Sequence, residues 1–173
     1  MAEQGNTRTT VAGDVIIESV VIQSSSGVTL DITPQVSSIE YCEDIFQMFL
    51  TGQIVVQDNQ NLTNVFPLIG NEIIKFKFYT PNTDEKESAV DMQFFITQCS
   101  GKVKVNAITT VYILKFVSFE AIINSQTRIS KTYRGLPHDI VMDVLGNKQQ
   151  GLASDKSIFC DRSANNIAFI SNW

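Results

Sequence analysis

Two stretches of this chain alternate apolar and polar residues at a period of two, and a chain so patterned has to bury one face of a sheet. In the first, Phe46, Met48, Leu50, Gly52, Ile54 and Val56 fall on one side, and Gln47, Thr51, Gln53 and Gln57 on the other. In the second, Ile74, Phe76 and Phe78 alternate with Lys75, Lys77 and Tyr79. Between them stand the turn formers Asp58, Asn59, Gln60 and Asn61, then a short apolar link, residues 62–68, that contains Pro67. The pattern predicts two long strands, the first running on from Tyr41, joined as part of a β-meander.

The same alternation recurs on both sides. Residues 15–23 are nearly continuously apolar and predict a first strand, and Val28, Leu30 and Ile32 alternate before Pro34 ends the run. Val90, Met92, Phe94 and Ile96 restart it, and Tyr112, Leu114 and Phe116 lie on one face of a last long strand. Six or so strands with mostly short connections predict a mainly β fold, an antiparallel β-barrel or sandwich. Closure into a barrel is favoured because it hides strand edges.

Past Ser118 the periodicity changes. Ala121, Ile122 and Ile123 predict a short helical turn, and residues 124–134 are polar. Pro137 suits the first turn of a helix whose stripe is Ile140, Val141, Val144 and Leu145, with Gly146 stopping it. Residues 158–160 and 167–170 read as short extended pieces. The expected organisation is a flexible, polar N-terminal arm over residues 1–13, a β-barrel over 14–125, and the start of a small α+β domain, incomplete, over 126–173.

Charge and composition exclude several functions. A formal net charge of -5 leaves no clustered Lys and Arg to neutralise phosphates, which argues against nucleic-acid binding. Arg128, Lys131 and Arg134 form the densest basic group and read as a solvated loop. Eleven Phe against one Trp suit a packed β core better than a base-stacking platform. Cys42, Cys99 and Cys160 are odd in number and far apart, forming neither a disulfide framework nor a metal spacing. Cys42 and Cys99 read as small apolar strand residues, and a reducing place of assembly follows. The first fourteen residues lack the apolar run of a signal peptide, and nothing approaches the length of a membrane span.

The search for chemistry returns no catalytic set, cofactor motif or metal site. His138, the single histidine, stands beside Pro137 and reads as a capping or surface residue; no triad can be built around it by spacing. One His and three dispersed Cys offer no ligand cluster. Glycine beside a base at Gly101-Lys102 and Gly146-Asn147-Lys148 matches neither a P-loop nor a dinucleotide fingerprint. Glu40, Glu43 and Asp44 are close in sequence, and an exposed acidic cluster is their simplest reading. The expectation is a protein that is not an enzyme.

One ordered set of residues carries a resemblance. An acidic pair, Glu43 and Asp44, precedes a strand through Gly52 that closes on Asp58; Asn61-Leu62 follows, and Gly70-Asn71-Glu72 opens the next strand. This order resembles the N-terminal tube domain of baseplate hub proteins from contractile-tailed, T-even-like phages, to which the spike-bearing hubs of bacterial contractile secretion systems are similar in fold. Each piece is common, and the order and spacing are what is distinctive. The resemblance implies a tail-tube-like barrel and a structural role. The hub would be a trimer carrying six barrels around an axis, joining a central spike to the tail tube, with baseplate wedge proteins as further neighbours. The implied location is the virion's tail baseplate, after assembly in the host cytoplasm, with no membrane insertion. DNA would pass through the channel without specific binding, past a wall to which Gln47, Thr51 and Gln53 are assigned. The resemblance also implies that Ser171-Asn172-Trp173 leads into further helix and strand.

Two other functions stay open on the sequence. One is a tail-tube or tube-initiator subunit with one barrel per chain. The other, from a different class, is a β-sandwich module whose loops hold a small ligand or carbohydrate, although the loop over residues 80–88 carries charge and no aromatic side chain.

Overall fold

The computed structural model describes residues 15–80, 89–128 and 130–172. The expected N-terminal arm, residues 1–13, lies outside them, and so does most of the loop over 80–88. The chain is mainly antiparallel β. It divides into two compact units, the first made of Gly52–Phe116 and the described residues up to Tyr41. Cys42–Thr51 and the described residues from Val117 onward make the second. The boundary between these units falls at 116/117, and the segment Cys42–Thr51 belongs to the second unit.

The first unit is one seven-stranded sheet. Its strands are β1 (Ile16–Gln23), β2 (Thr29–Asp31), β3 (Val36–Cys42), β4 (Thr51–Asp58), β5 (Ile73–Tyr79), β6 (Val90–Lys104) and β7 (Thr110–Val117). Their order across the sheet is β2-β1-β5-β6-β7-β4-β3. The two end strands, β2 and β3, are consecutive in the chain and joined only through Ile32 and the 3-10 turn Thr33–Gln35, so the sheet has to curl. The curl is fixed at that corner: the Val20 amide donates to Thr33 Oγ1 at 2.8 Å, the Ile32 amide to the Val20 carbonyl at 2.9 Å, and Ile32 is 1% exposed. The result is a curled half-barrel with its apolar face inward.

That face is the one the alternation marks. Ile54, Val56, Ile74, Phe76, Phe94, Ile96, Tyr112, Leu114 and Phe116 are all buried, with Val20 and Ile22 from β1. Three rings fill the middle, with centroids 5.3 Å apart for Phe76–Phe94, 5.7 Å for Phe76–Phe116 and 4.8 Å for Phe94–Phe116. Gly52 has to be glycine, because a methyl group there would run into the Phe116 ring and the Glu40 carbonyl oxygen. β1 pairs with β5 through a bulge at Glu18, which aims its carboxylate at Lys77, 2.8 Å away.

The first expected strand is shorter than its pattern. Regular structure stops at Cys42 and resumes at Thr51, and residues 43–50 form a loop in which Ile45, Phe46 and Met48 are 92%, 93% and 83% exposed. Asp44 breaks the strand: its Oδ1 accepts from the Phe46 amide at 2.8 Å, and its carbonyl from the Gln47 amide at 3.0 Å. Cys42 and Cys99 are exposed, not packed as small apolar residues.

In the second unit α2 (Phe119–Gln126) follows β7, after the single turn α1 (Leu62–Val65) of the first unit. Next come β8 (Ser130–Gly135), α3 (Pro137–Gly146) and β9 (Ile167–Asn172), with β8 and β9 paired antiparallel. Lys131 and Arg134 therefore stand on a strand, not in a solvated loop. Lys131 is held by Asp143 of α3 at 2.7 Å and lies 4.9 Å over the Tyr133 ring. Pro137 and Gly146 bound α3 as expected, whereas residues 158–160 have no regular structure. Gly151 is buried where a methyl group would strike the carbonyls of Asp143, Val144 and Asn147 at the end of α3.

Candidate functional site

The residues that carry the family-like order separate by role. Asp58 ends β4, is 2% exposed, and its Oδ1 accepts from the amides of Gln60 and Leu62, both at 3.0 Å. It thereby closes the turn into α1, helped by Asn61 in the left-handed region at φ 58°. Glu72 stands just before β5 and is 1% exposed. Its Oε1 accepts from the Ile69 amide at 2.8 Å and its Oε2 from the Gly70 amide at 2.9 Å. Gly70, at φ +97°, makes the reversal that brings those two amides round to one carboxylate. Two buried acids thus fasten both ends of the connection between β4 and β5. Glu43 and Asn71 are exposed.

The residues assigned to a channel wall do not share one strand. Thr51 and Gln53 lie two positions apart on β4, half-buried on the side opposite Ile54 and Val56, and Gln53 Nε2 donates to Glu40 Oε2 at 2.9 Å. Gln47 is in the exposed loop before the strand.

Sequence reasoning missed the uncovered apolar surface. In the first unit Val103, Val105 and Ile108, at the tip of the β6–β7 hairpin, are 60%, 62% and 76% exposed. In the second, Met48 and Phe159, the latter 95% exposed, border a cleft of about 430 Å³. Ser118, 3% exposed, lines that cleft, and its buried Oγ has no hydrogen-bond partner among the described residues. Isolated exposed apolar residues are ordinary, but clusters of them are what an assembly surface leaves on a separated subunit. The signal was present in Phe46, Met48, Val103 and Val105, but alternation alone cannot tell a core-facing side chain from one facing another molecule.

Glu120, also in the cleft, accepts from Ser154 Oγ at 2.8 Å and from Lys156 Nζ at 3.0 Å. Burial pushes its carboxyl up, but hydrogen bonds from its own amide, Ser154 and Lys156, together with the lysine's charge, outweigh burial and hold it below the ordinary value. A carboxylate depressed in the folded state contributes stability that is complete above the unfolded pKa of about 4.3 and is lost as pH falls through the lower folded value. We therefore expect the urea midpoint to fall with acidification from about pH 5 downward. Glu120→Gln should be less stable at neutral pH and should flatten that acid limb. An unchanged limb in Glu120→Gln would remove Glu120 as its cause.

His138 is bound into a loop. The Ser163 amide donates to Nδ1 at 3.3 Å, the His138 amide lies 3.4 Å from Ser163 Oγ, and Nε2 is 3.1 Å from Asp139 Oδ1. Nδ1 also lies 3.2 Å from Ser163 Oγ but already receives the peptide N–H, so the ring proton belongs on Nε2. The contacts tie the chain near residue 163 to the first turn of α3 and supply one of that helix's orphan amides with an acceptor. Among the described residues no group of three or more His, Cys, Asp or Glu is placed to hold a metal ion, and no helix is long and apolar enough to cross a membrane.

These features define a mainly antiparallel β protein with a curled seven-stranded sheet and uncovered apolar clusters. No family model and no curated protein matches the chain. Among solved structures it is similar to a chain in the half-lidded Francisella PdpA–VgrG complex, at 14% identity and a TM-score of 0.42. That likeness covers 78% of this chain, which spans 22% of the other chain's length.

Proposed function

We propose that this chain is a structural ring component of a contractile injection machine and not an enzyme. More particularly, it acts as a baseplate hub that adapts a central spike to the tail tube, as the order of Glu43, Gly52, Asp58, Gly70, Asn71 and Glu72 suggests. The observation that carries an assembly role is the apolar surface left bare on a chain whose core is already filled: Phe46 and Met48 on one unit, Val105 and Ile108 on the other. In this reading the channel wall takes Thr51 and Gln53 from β4. Their uncharged polar groups would let DNA pass without phosphate contacts.

Native mass spectrometry with negative-stain imaging tests the proposal. The expected result is a closed ring of three or six copies with an open centre. A monomer that persists at high micromolar concentration would remove the ring reading.

A further inference from the structure

The strand register of the first unit gathers three connections at one end of its sheet. Gln23 pairs with both Thr29 and Ile73, and Ile73 pairs with Phe95. The β1–β2 turn, the start of β5 and the part of β6 beyond Phe95 therefore lie at the same end. The connection between β4 and β5 comes to it as well, because Lys102 Nζ of β6 donates to Thr63 Oγ1 of α1 at 2.9 Å.

Each connection leaves aliphatic side chains bare there. Val28 belongs to the β1–β2 turn, Val65 and Ile69 to the β4–β5 connection, and Val103, Val105 and Ile108 to the β6–β7 hairpin, all of them 58–77% exposed. All six are β-branched, so they hold few rotamers and lose little entropy when covered. That suits contact with another preformed surface.

The charge at this end is of one sign. Residues 24–30, 59–72 and 99–109 contain Lys102, Lys104 and a single acid, Glu72. Glu72 is buried and bonded to two amides, and so is Asp58 where β4 ends. Asp31, the last residue of β2, accepts from the Thr33 amide and hydroxyl at 2.8 and 2.6 Å. On a chain of net charge -5 this end is basic and apolar. The bare loop of the second unit is the reverse, with Glu43 and Asp44 beside Ile45, Phe46 and Met48.

We propose that this end of the first unit docks a separate protein whose face carries aliphatic groups bordered by carboxylates. The proposal rests on the assembly reading above and names one of its contacts. Two copies meeting by this end would bring lysines together with no exposed acid from the same segments. Stacking it on the 43–48 loop of another copy would be head to tail and open, building a filament of the chain and not a single ring. A lipid surface is disfavoured because these segments expose no aromatic ring and carry only two lysines.

Lysine acetylation and zero-length carbodiimide coupling test the contact in the assembled particle, purified through a tag on this chain. Lys102 and Lys104 should acetylate roughly 10-fold or more slowly there than on the isolated chain. Coupling should join one of them to an Asp or Glu of a different protein. Val105→Ser with Ile108→Ser changes two exposed positions, so thermal melts should match the parent, while the amount of that protein in the particle should fall roughly 10-fold. Coupling to Glu43 or Asp44 of a second copy would make this a self-stacking face. Pelleting with phosphatidylserine vesicles that the double variant loses would make it a membrane face, and either result overturns the proposal. Equal acetylation in ring and isolated chain overturns it while the ring stands. If the unaltered chain is recovered only as a monomer, the assembly reading falls and this inference falls with it.

Discussion

Phe76→Asp is expected to leave the first unit without a cooperative folded state. Phe76 is 1% exposed and stacks on Phe94 at 5.3 Å between ring centroids, with Phe116 at 5.7 Å. Truncating such a ring costs about 3–5 kcal/mol by itself. The aspartate must then either carry an unpaired charge inside the sheet or take up a proton and still bury an unsatisfied carboxyl, at a further cost of several kcal/mol. Against a total stability of about 5–15 kcal/mol, the sum leaves little or nothing. The neighbouring substitution Lys77→Ser is the contrast. Its ion pair with Glu18 is short, 2.8 Å, but the two side chains are 39% and 48% exposed, so the change should cost under about 1 kcal/mol. Urea titration followed by near-ultraviolet circular dichroism reads both. A Phe76→Asp chain that melts cooperatively near the parent's midpoint would mean that the face assignment is reversed.

That face assignment was legible because burial on a half-covered sheet repeats every second residue. The inward sides of β4 from Ile54, of β5, β6 and β7, and the helix between Pro137 and Gly146 all follow from pattern and end signals. The pattern misled at Phe46, Met48 and Leu50, which keep the period of β4 although Asp44 has already turned the chain out of the sheet. Alternation reports that side chains share a face; it does not report what covers the face. The boundary between the two units leaves no mark in the alternation for a related reason: Ser118 and Glu120 continue the even-numbered buried series of β7 into the start of the second unit. The partners of His138 were out of reach, because Ser163 arrives from 25 residues away.

The buried acids were the least legible part of the candidate site, since Asp and Glu are almost always exposed unless something pairs with them. At Glu72 the partners are two backbone amides, and Glu72→Ala is expected to cost about 3–6 kcal/mol, from two hydrogen bonds to a carboxylate acceptor at about 1.5–3 kcal/mol each. Glu72→Gln keeps the shape but can present only one oxygen, so its NH2 group opposes the second amide; roughly half the loss should remain. Asp58→Ala should cost about as much, through the Gln60 and Leu62 amides. Hydrogen exchange gives the sharper reading, because the Ile69 and Gly70 amides should lose protection in Glu72→Ala well before those of Ile74 and Phe76. Ring assembly then separates two meanings of the family-like order. If Asp58, Gly70 and Glu72 only fasten the connection between β4 and β5, a Glu72→Gln chain that is still folded should assemble like the parent. If the motif is itself a contact with a neighbour, assembly should fall even where the chain is fully folded, and the fastening role drawn from the 2.8 and 2.9 Å bonds would be incomplete.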